Sequence, residues 1–424
     1  MRLRDLALDV GPLKHHRDFR WLMAGQVVNQ LGTMATQVAI PYQLYVLTRS
    51  PLALGALASL QLAAILLASP LGGALADRLD RRQLLLTTQA ALCCISSALC
   101  LLAFTGLARP WHLFALAFVQ AMFDATDRPA RQSMLPRMVD RERLSAALTL
   151  HRATQSLSRV LGPAFGGVLI ASMGLPAAYA VDAVTFVASF VTLLAISRVP
   201  PMERAPQSSF AAIGEGLRYV RRVPVVLAAF VTDLDAMVFG MPTALFPILA
   251  LDVFHVGPAG LGLITAAPSA GAVAGLLSSG WVHHTRYQGK VVLACVAVWG
   301  FAIAAFGLMT WLPLALLLLA VAGAADVYSS VLRATMVQVI TPDHLRGRIT
   351  ALNSMVTTSG PRLGGLESTL VAAVSTARFS AVSGGLLCVL GLAAIIRLYP
   401  EFVAYDARAP QPALAAPAGA ALAL

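Results

Sequence analysis

Twelve apolar stretches recur along the chain, near 20–47, 52–75, 83–107, 111–133, 144–172, 176–197, 224–251, 258–282, 290–309, 311–339, 347–373 and 377–398. A helix needs about 20 predominantly apolar residues to cross a bilayer, and each stretch is about that long or longer. Lipid offers no water to satisfy an open backbone, so such a segment must close its own hydrogen bonds as a helix. Transmembrane strands would be half as long and would alternate in polarity. Charged residues make up only 12% of the chain, too few to cover a soluble surface. Disorder of the body, a collagen repeat and a disulfide scaffold are excluded on the same ground. The start is polar for about eighteen residues and the first apolar stretch is long enough to stay in the membrane, so no cleavable signal is expected.

The net charge is +11. On a soluble protein that would suggest nucleic acid. Here the basic residues fall between apolar runs and read as topology signals. With the N-terminus inside, twenty-four Lys and Arg lie in inner segments, and only Arg49, Arg109 and Arg378 lie in outer loops. A missed span would scramble that alternation. The split predicts cytoplasmic N- and C-termini. The expected organisation is an N-terminal segment 1–19, a first bundle 20–197, a cytoplasmic linker 198–223, a second bundle 224–400 and a disordered tail 401–424. The linker carries Pro200, Pro201, Pro206 and five Arg, and is the longest polar stretch inside the chain.

The halves repeat. Gly162-Pro163-Ala-Phe-Gly166-Gly167 in the fifth stretch returns 198 residues later as Gly360-Pro361-Arg-Leu-Gly364-Gly365. Asp124 and Arg131 return 202 residues later as Asp326 and Arg333, and Leu54-Gly55 returns 207 later as Leu261-Gly262. Six spans per half is even, so both halves enter the membrane in the same direction. The predicted fold class is all-α integral membrane, with twelve transmembrane helices as two six-helix bundles related by pseudo-two-fold symmetry. A site near the midplane between the bundles goes with that architecture.

After the second stretch comes Gly73-Ala-Leu-Ala-Asp77-Arg78-Leu-Asp-Arg81-Arg82. This run resembles GxLADRxGRR, the loop signature of the major facilitator superfamily, with Asp80 where that family usually has Gly. The resemblance implies a conformational clasp made by Gly73, Asp77, Arg78, Arg81, Arg82 and Asp127. Asp77 is expected near the N-terminus of the eleventh helix, where the dipole favours negative charge. Arg81 or Arg82 is expected to pair with Asp127. A loop simply anchored at the headgroups is the alternative. The second copy has decayed to Gly280-Trp-Val-His283-His284-Thr-Arg286, and two adjacent His without further ligands read as a solvated loop.

Ser158 with Gly162, Pro163, Gly166 and Gly167 resembles GxxxGPxxGG, the antiporter motif of drug:proton exporters in that superfamily. The three Gly let a neighbouring helix approach, and Pro163 kinks the helix or frees a carbonyl. Ordinary helix packing would use the same residues, so the resemblance alone favours export over uptake. The stretch Ser329-Ser330-Val-Leu-Arg-Ala-Thr-Met336 through Thr341-Pro342 to Gly347-Arg348-Ile349 is similar to the enterobactin-exporter branch of the group.

Charges deep in a span cost about 2.5–3.5 kcal/mol each on insertion scales, so they default to function or pairing. The proton-coupling candidates are Asp233, Asp235, Asp326 and Asp124, with Asp182 and Glu367 nearer the outer side. Their candidate partners are Arg131, Arg159, Arg333 and Arg362. A carboxyl in a poorly solvated cavity can load and release a proton near neutral pH, while a fixed ion pair would merely orient helices. Asp233 and Asp235 are two apart and face different sides of a helix, so one of them is expected to line a cavity. No nucleophile elbow, zinc-protease pair or Walker loop is present. The five Cys lie in apolar stretches without zinc spacing, so no metal or cofactor is expected. The expected partners are a small-molecule substrate, protons and lipid, with no nucleic acid and a monomeric chain. The reading is a proton-coupled exporter of drugs or a siderophore. An importer or facilitator of the same fold, and more remotely a membrane enzyme or scaffold, are the rivals.

The charge split carries a topological test. A cysteine placed at Ser208 on a Cys-free background should resist a membrane-impermeant thiol reagent in intact cells and react after permeabilisation. Labelling in intact cells would overturn the topology.

Overall fold

The computed structural model describes residues 9–78, 80–197 and 210–408, and among them every regular element is helical. The first half comprises α1 Arg17–Thr48, α2 Pro51–Arg78, α3 Arg81–Thr105, α4 Pro110–Met138 and α5 Leu144–Leu194. A linker helix, α6 Phe210–Arg222, leads to the second half: α7 Pro224–Phe239, α8 Gly257–Leu277, α9 Gln288–Leu308, α10 Leu312–Ile340, α11 Asp343–Val374 and α12 Ala377–Leu398. Eight helical segments among the described residues are long and apolar enough to cross a membrane. One of these covers Arg141–Leu194 and is long enough to cross twice. The other long helices, α1, α4 and α11, carry more of the charge, as Asp124, Asp127 and Arg131 do on α4.

Local chemistry sets the helix ends. Pro stands in the first turn of α4, α7, α8 and α10, where a missing N–H costs nothing. Asp80 is the N-cap of α3 and accepts hydrogen bonds from the Arg82 amide at 2.8 Å and the Gln83 amide at 3.4 Å. The departure from Gly in the loop signature therefore supplies a cap. α5 is broken at one residue, Gly174, whose φ of 82° and ψ of 175° are open only to Gly. Its two arms, 144–173 and 175–194, match the fifth and sixth predicted spans.

The halves meet along two lines, α5 against α8 and α2 against α11. The glycine repeat builds both. In the first half, Gly162 and Gly166 abut Met34 and Ala35 of α1, and Gly167 turns to α8. A Cβ on Gly167 would sit 2.5 Å from the Pro258 carbonyl oxygen and 2.8 Å from Gly262 Cα. In the second half, Gly360 and Gly364 abut Met237 of α7, while a Cβ on Gly365 would meet Ala58 of α2 at 3.4 Å. Gly55 on α2 lies against Thr369 on α11.

Burial divides the molecule along its length. At the Arg-poor ends one cluster joins both halves, with Leu44, Leu54 and Leu169 from the first and Leu249, Leu261 and Phe306 from the second. At the Arg-rich ends the clusters belong to single halves. Phe19, Leu85, Met134 and Leu193 form one; Val292, Met336, Leu392 and Phe402 form another; Val226 and Ile349 gather under α6.

Two segments flanking the second half are ordered. α6 lies on the second half through a hydrogen bond from Tyr219 Oη to the Ile340 carbonyl at 3.0 Å and a Glu215–Arg348 ion pair at 2.5 Å. The tail was expected to be disordered from 401. Instead Pro400–Val403 is helical, Phe402 is fully buried, and Asp406 pairs with Arg286 at 2.7 Å. The Arg408 amide and the Arg286 guanidinium hold the Asp406 carboxyl below its ordinary range. Burying Phe402 against α9 and α12 outweighs the freedom of a polar tail. Residues 198–209 and 409–424 lie outside the described residues, as do the His283 and His284 side chains.

Gly167→Val should destabilise the protein by about 1–3 kcal/mol, since backbone on α8 has no flexible end to yield. Gly347→Ala, where a Cβ meets nothing within 4 Å, should stay within about 0.5 kcal/mol. Thermal unfolding in detergent compares the two.

Candidate functional site

α7 places Asp233 nine residues from its first, and α10 places Arg333 opposite. Arg333 Nη2 lies 2.6 Å from Asp233 Oδ1, and the two side chains are only 8% and 7% exposed. The pair lines a cleft between α7, α10 and α11, together with Gln338, Thr341, Thr350 and Asn353. Each charge has the other as its partner, which is why the pair is tolerated at this depth. Asp326, half-buried on α10, lies in the field of both Arg333 and Asp233.

Asp235 faces away from the cleft. Its carboxyl occupies the notch that Gly391 leaves on α12 and meets the buried Cys388 thiol. Of the two neighbouring carboxylates, Asp233 lines the cleft and Asp235 packs behind it.

In the first half, Arg131 repeats Arg333. It is 6% exposed, and its Nε lies 3.1 Å from Asp127 Oδ2. Asp127 also accepts hydrogen bonds from Thr88 Oγ1 at 3.0 Å and Gln89 Nε2 at 3.0 Å, which ties α4 to α3. The two Arg residues thus take different carboxylates, Asp127 on the same helix and Asp233 from a neighbour. Asp326, seven residues from Arg333 on the same helix, lies in its field, while the ion pair itself goes to Asp233 on the facing helix. Four residues, or a facing helix, bring the groups together.

Arg82 does not reach Asp127. Its Nε donates to the Leu193 carbonyl at 2.9 Å and its Nη2 to that of Leu194 at 2.8 Å. A cation at a helix C-terminus meets free carbonyls and the negative end of the dipole. Arg82 therefore clips α3 to the end of α5, while Arg81 is buried beside it with 3% exposure. Gly73, Asp77 and Arg78 lie in the last turns of α2, and their side chains fall outside the described residues. Ser158 is buried one turn before Gly162. Arg159 is exposed, and Arg362 is half-buried with Nη1 donating to the Thr358 carbonyl at 2.8 Å.

Asp182 is one of the deep charges of the sequence, whereas His151 carried no signal there. Asp182, fully buried on the second arm of α5, accepts hydrogen bonds from Thr36 Oγ1 of α1 and Ser96 Oγ of α3, each at 2.7 Å. His151, 5% exposed on α5, lies near Arg131 and 3.1 Å from Gln155 Nε2. A lone Asp among apolar residues marks depth, but its partners lie far away in sequence. Among the described residues no group of three His, Cys, Asp or Glu is placed to hold a metal ion.

With this geometry in view, the comparisons with known proteins agree with one another. The model of a family described as transmembrane secretion effector matches residues 8–420. The enterobactin exporter of Citrobacter koseri is 28% identical over 409 residues, covering 94% of this chain and 97% of that protein. The nucleoside transporter NupG superposes with a TM-score of 0.76 at 11% identity, over 90% of this chain and 100% of that one. A bacterial homologue of the human lysosomal transporter Spinster, inward-facing and unoccupied, gives 0.72 at 15% identity, over 92% and 99%. At such identities these structures speak for the fold.

The pair yields a thermodynamic test. Removing one partner strands a buried charge at a cost of about 3–5 kcal/mol, whereas replacing both by apolar residues is often near neutral. Arg333→Met alone should lower thermal stability in detergent, and Asp233→Leu/Arg333→Met should recover most of the loss.

Proposed function

This chain belongs to the transmembrane secretion effector family of major facilitator transporters, and from that premise we propose that it exports an amphipathic small molecule by alternating access, in exchange for protons. It is a multi-pass membrane transporter and not an enzyme. The substrate is a drug-like molecule or a siderophore, a reading supported by relatives named as enterobactin exporters.

In this reading the twelve spans are α1–α4, the two arms of α5, and α7–α12, with α7 extended through the short turns to Val253. They form two six-helix bundles that rock about the seams α5–α8 and α2–α11. The termini and linker face the cytoplasm of a bacterial cell, and the chain works as a monomer. The cluster that joins the halves at the Arg-poor ends supports a closed outer face. The separate clusters at the Arg-rich ends support a cavity open to the cytoplasm. The Asp77–Arg82 run and Asp127 act at that inner face, where the bundles close in the opposite state.

The observation that carries the coupling is the Asp233–Arg333 pair on the cleft. Protonating Asp233 cancels one charge of the pair and frees the Arg333 guanidinium to turn toward an incoming substrate. Losing the proton on the inner side restores the pair. Asp326 lies in the same field and serves as the second acceptor; Asp124 and Asp235 rank below it. The glycine motif keeps α5 close to α1 and α8, so bundle motion is transmitted without a gap in the seam.

Asp233→Asn keeps an acceptor for Arg333 but cannot titrate. In proteoliposomes it should abolish uphill export driven by a pH difference and leave downhill substrate exchange intact. If Asp233→Asn/Asp235→Asn/Asp326→Asn still concentrates substrate using a pH difference, these carboxyls do not carry the proton. Uptake with the same imposed gradient would mark an importer.

A further inference from the structure

On the Arg-poor face, α1 of the first half meets the end of the α7 segment of the second through a cluster outside the transport cleft. The Tyr45 hydroxyl donates a hydrogen bond to one carboxylate oxygen of Asp252, and Arg49 Nη1 lies 3.2 Å from the other. The Arg49 guanidinium also sits 5.7 Å from the Tyr45 ring centroid. Tyr45 is buried at 4% exposure, while the Arg49 and Asp252 side chains are 62% and 43% exposed. One carboxylate from the second half is thus gripped by two groups from the first.

The backbone around this cluster is unusual on both sides. Arg49 has φ 49° and His255 has φ 53°, and they are the non-glycine residues with positive φ among the described residues. Asp252 itself sits in a π-helical turn, Leu249–Val253, and His255 Nδ1 lies 3.0 Å from the Leu251 carbonyl. Single π turns recur at functional sites, and left-handed non-glycine residues persist where surroundings hold them. The other basic residues of this face do different work. Arg378 caps α9 within its own half, donating to the Gly307 and Leu308 carbonyls at 3.2 and 2.7 Å. Arg49 crosses from one half to the other.

We propose that Tyr45, Arg49 and Asp252 form a releasable latch that holds the two halves shut on the Arg-poor face and must part before substrate leaves there. The inference rests on the alternating-access reading above. The strength of the cluster fits the role. A deeply buried pair would lock the face, whereas an ion pair this exposed biases a two-state equilibrium by about two- to fivefold. Tyr45 anchors one end in the core, so the carboxylate returns to the same place at each closure.

Spin labels at Leu107→Cys and Trp311→Cys, exposed positions following α3 and α9 on this face, report the opening directly on a background lacking the native Cys. In lipid nanodiscs, with no substrate, Arg49→Ala and Asp252→Asn should each raise the long-distance population about two- to fivefold. Tyr45→Phe, which removes only the hydroxyl, should raise it less. The swap Arg49→Asp/Asp252→Arg should bring the distribution back toward the parent. Unchanged distributions in the single variants, or a swap as open as either of them, would overturn the latch. The measurement uses neither flux nor a gradient. Failed export with latch-dependent opening would therefore count against the exporter reading alone.

Discussion

What holds helices together in lipid is distance. Lipid tails are as apolar as leucine, so no hydrophobic drive pushes one helix onto another, and association depends on how closely backbones approach. The closest approach between the halves is α5 on α8, where Gly167 and Gly262 face each other without side chains between them. The α2–α11 line repeats the arrangement through Gly55 and Gly365. What requires the two halves in register, such as the contacts on the Arg-poor face, is placed by these small-residue lines. Each GPxxGG motif serves two purposes at once: its first two Gly seat a neighbour of the same half, and its last Gly meets the other half.

The repeat is broken where chemistry is needed. Arg131 and Arg333 hold equivalent places, yet Asp127 is saturated by Arg131, Thr88 and Gln89, and Asp233 has Arg333 beside an open cleft. α1 offers no carboxylate at the place where α7 offers Asp233. Both cations are buried to the same degree, so what distinguishes the halves is the partner: a carboxylate of the same helix in the first, and one from a facing helix beside the cleft in the second.

Much of this was legible in the sequence. The apolar stretches coincide with helices to within a few residues at most ends, because the need to satisfy backbone groups in lipid leaves few alternatives. The offset near 200 residues anticipated the glycine lines, since equal spacing along a repeat becomes equal position in space. The deep charges were recognisable by their cost. Their contacts were not, because the partner lies one turn along the helix for Arg131, at Asp127, and on a facing helix for Arg333, at Asp233. Arg81 or Arg82 was expected at Asp127, and of the two Arg82 goes to the carbonyls at the end of α5. Tyr45, Arg49 and Asp252 carried no signal at all, because their relation spans 207 residues and appears only once the halves are side by side. The tail misled for a simpler reason, since the burial of Phe402 depends on a groove the sequence does not display.

The break at Gly174 has a bearing on how the chain is made. One residue in a conformation closed to every other amino acid turns the fifth span directly into the sixth. The ribosome therefore delivers these two arms with almost no polar segment to be carried across the bilayer between them. They can enter as a single folded-back unit, in which the second arm brings Asp182 to partners already made, Thr36 of α1 and Ser96 of α3. Biogenesis, like packing, thus leans on a glycine: a longer outer loop would separate in time two strokes of insertion that this hairpin joins.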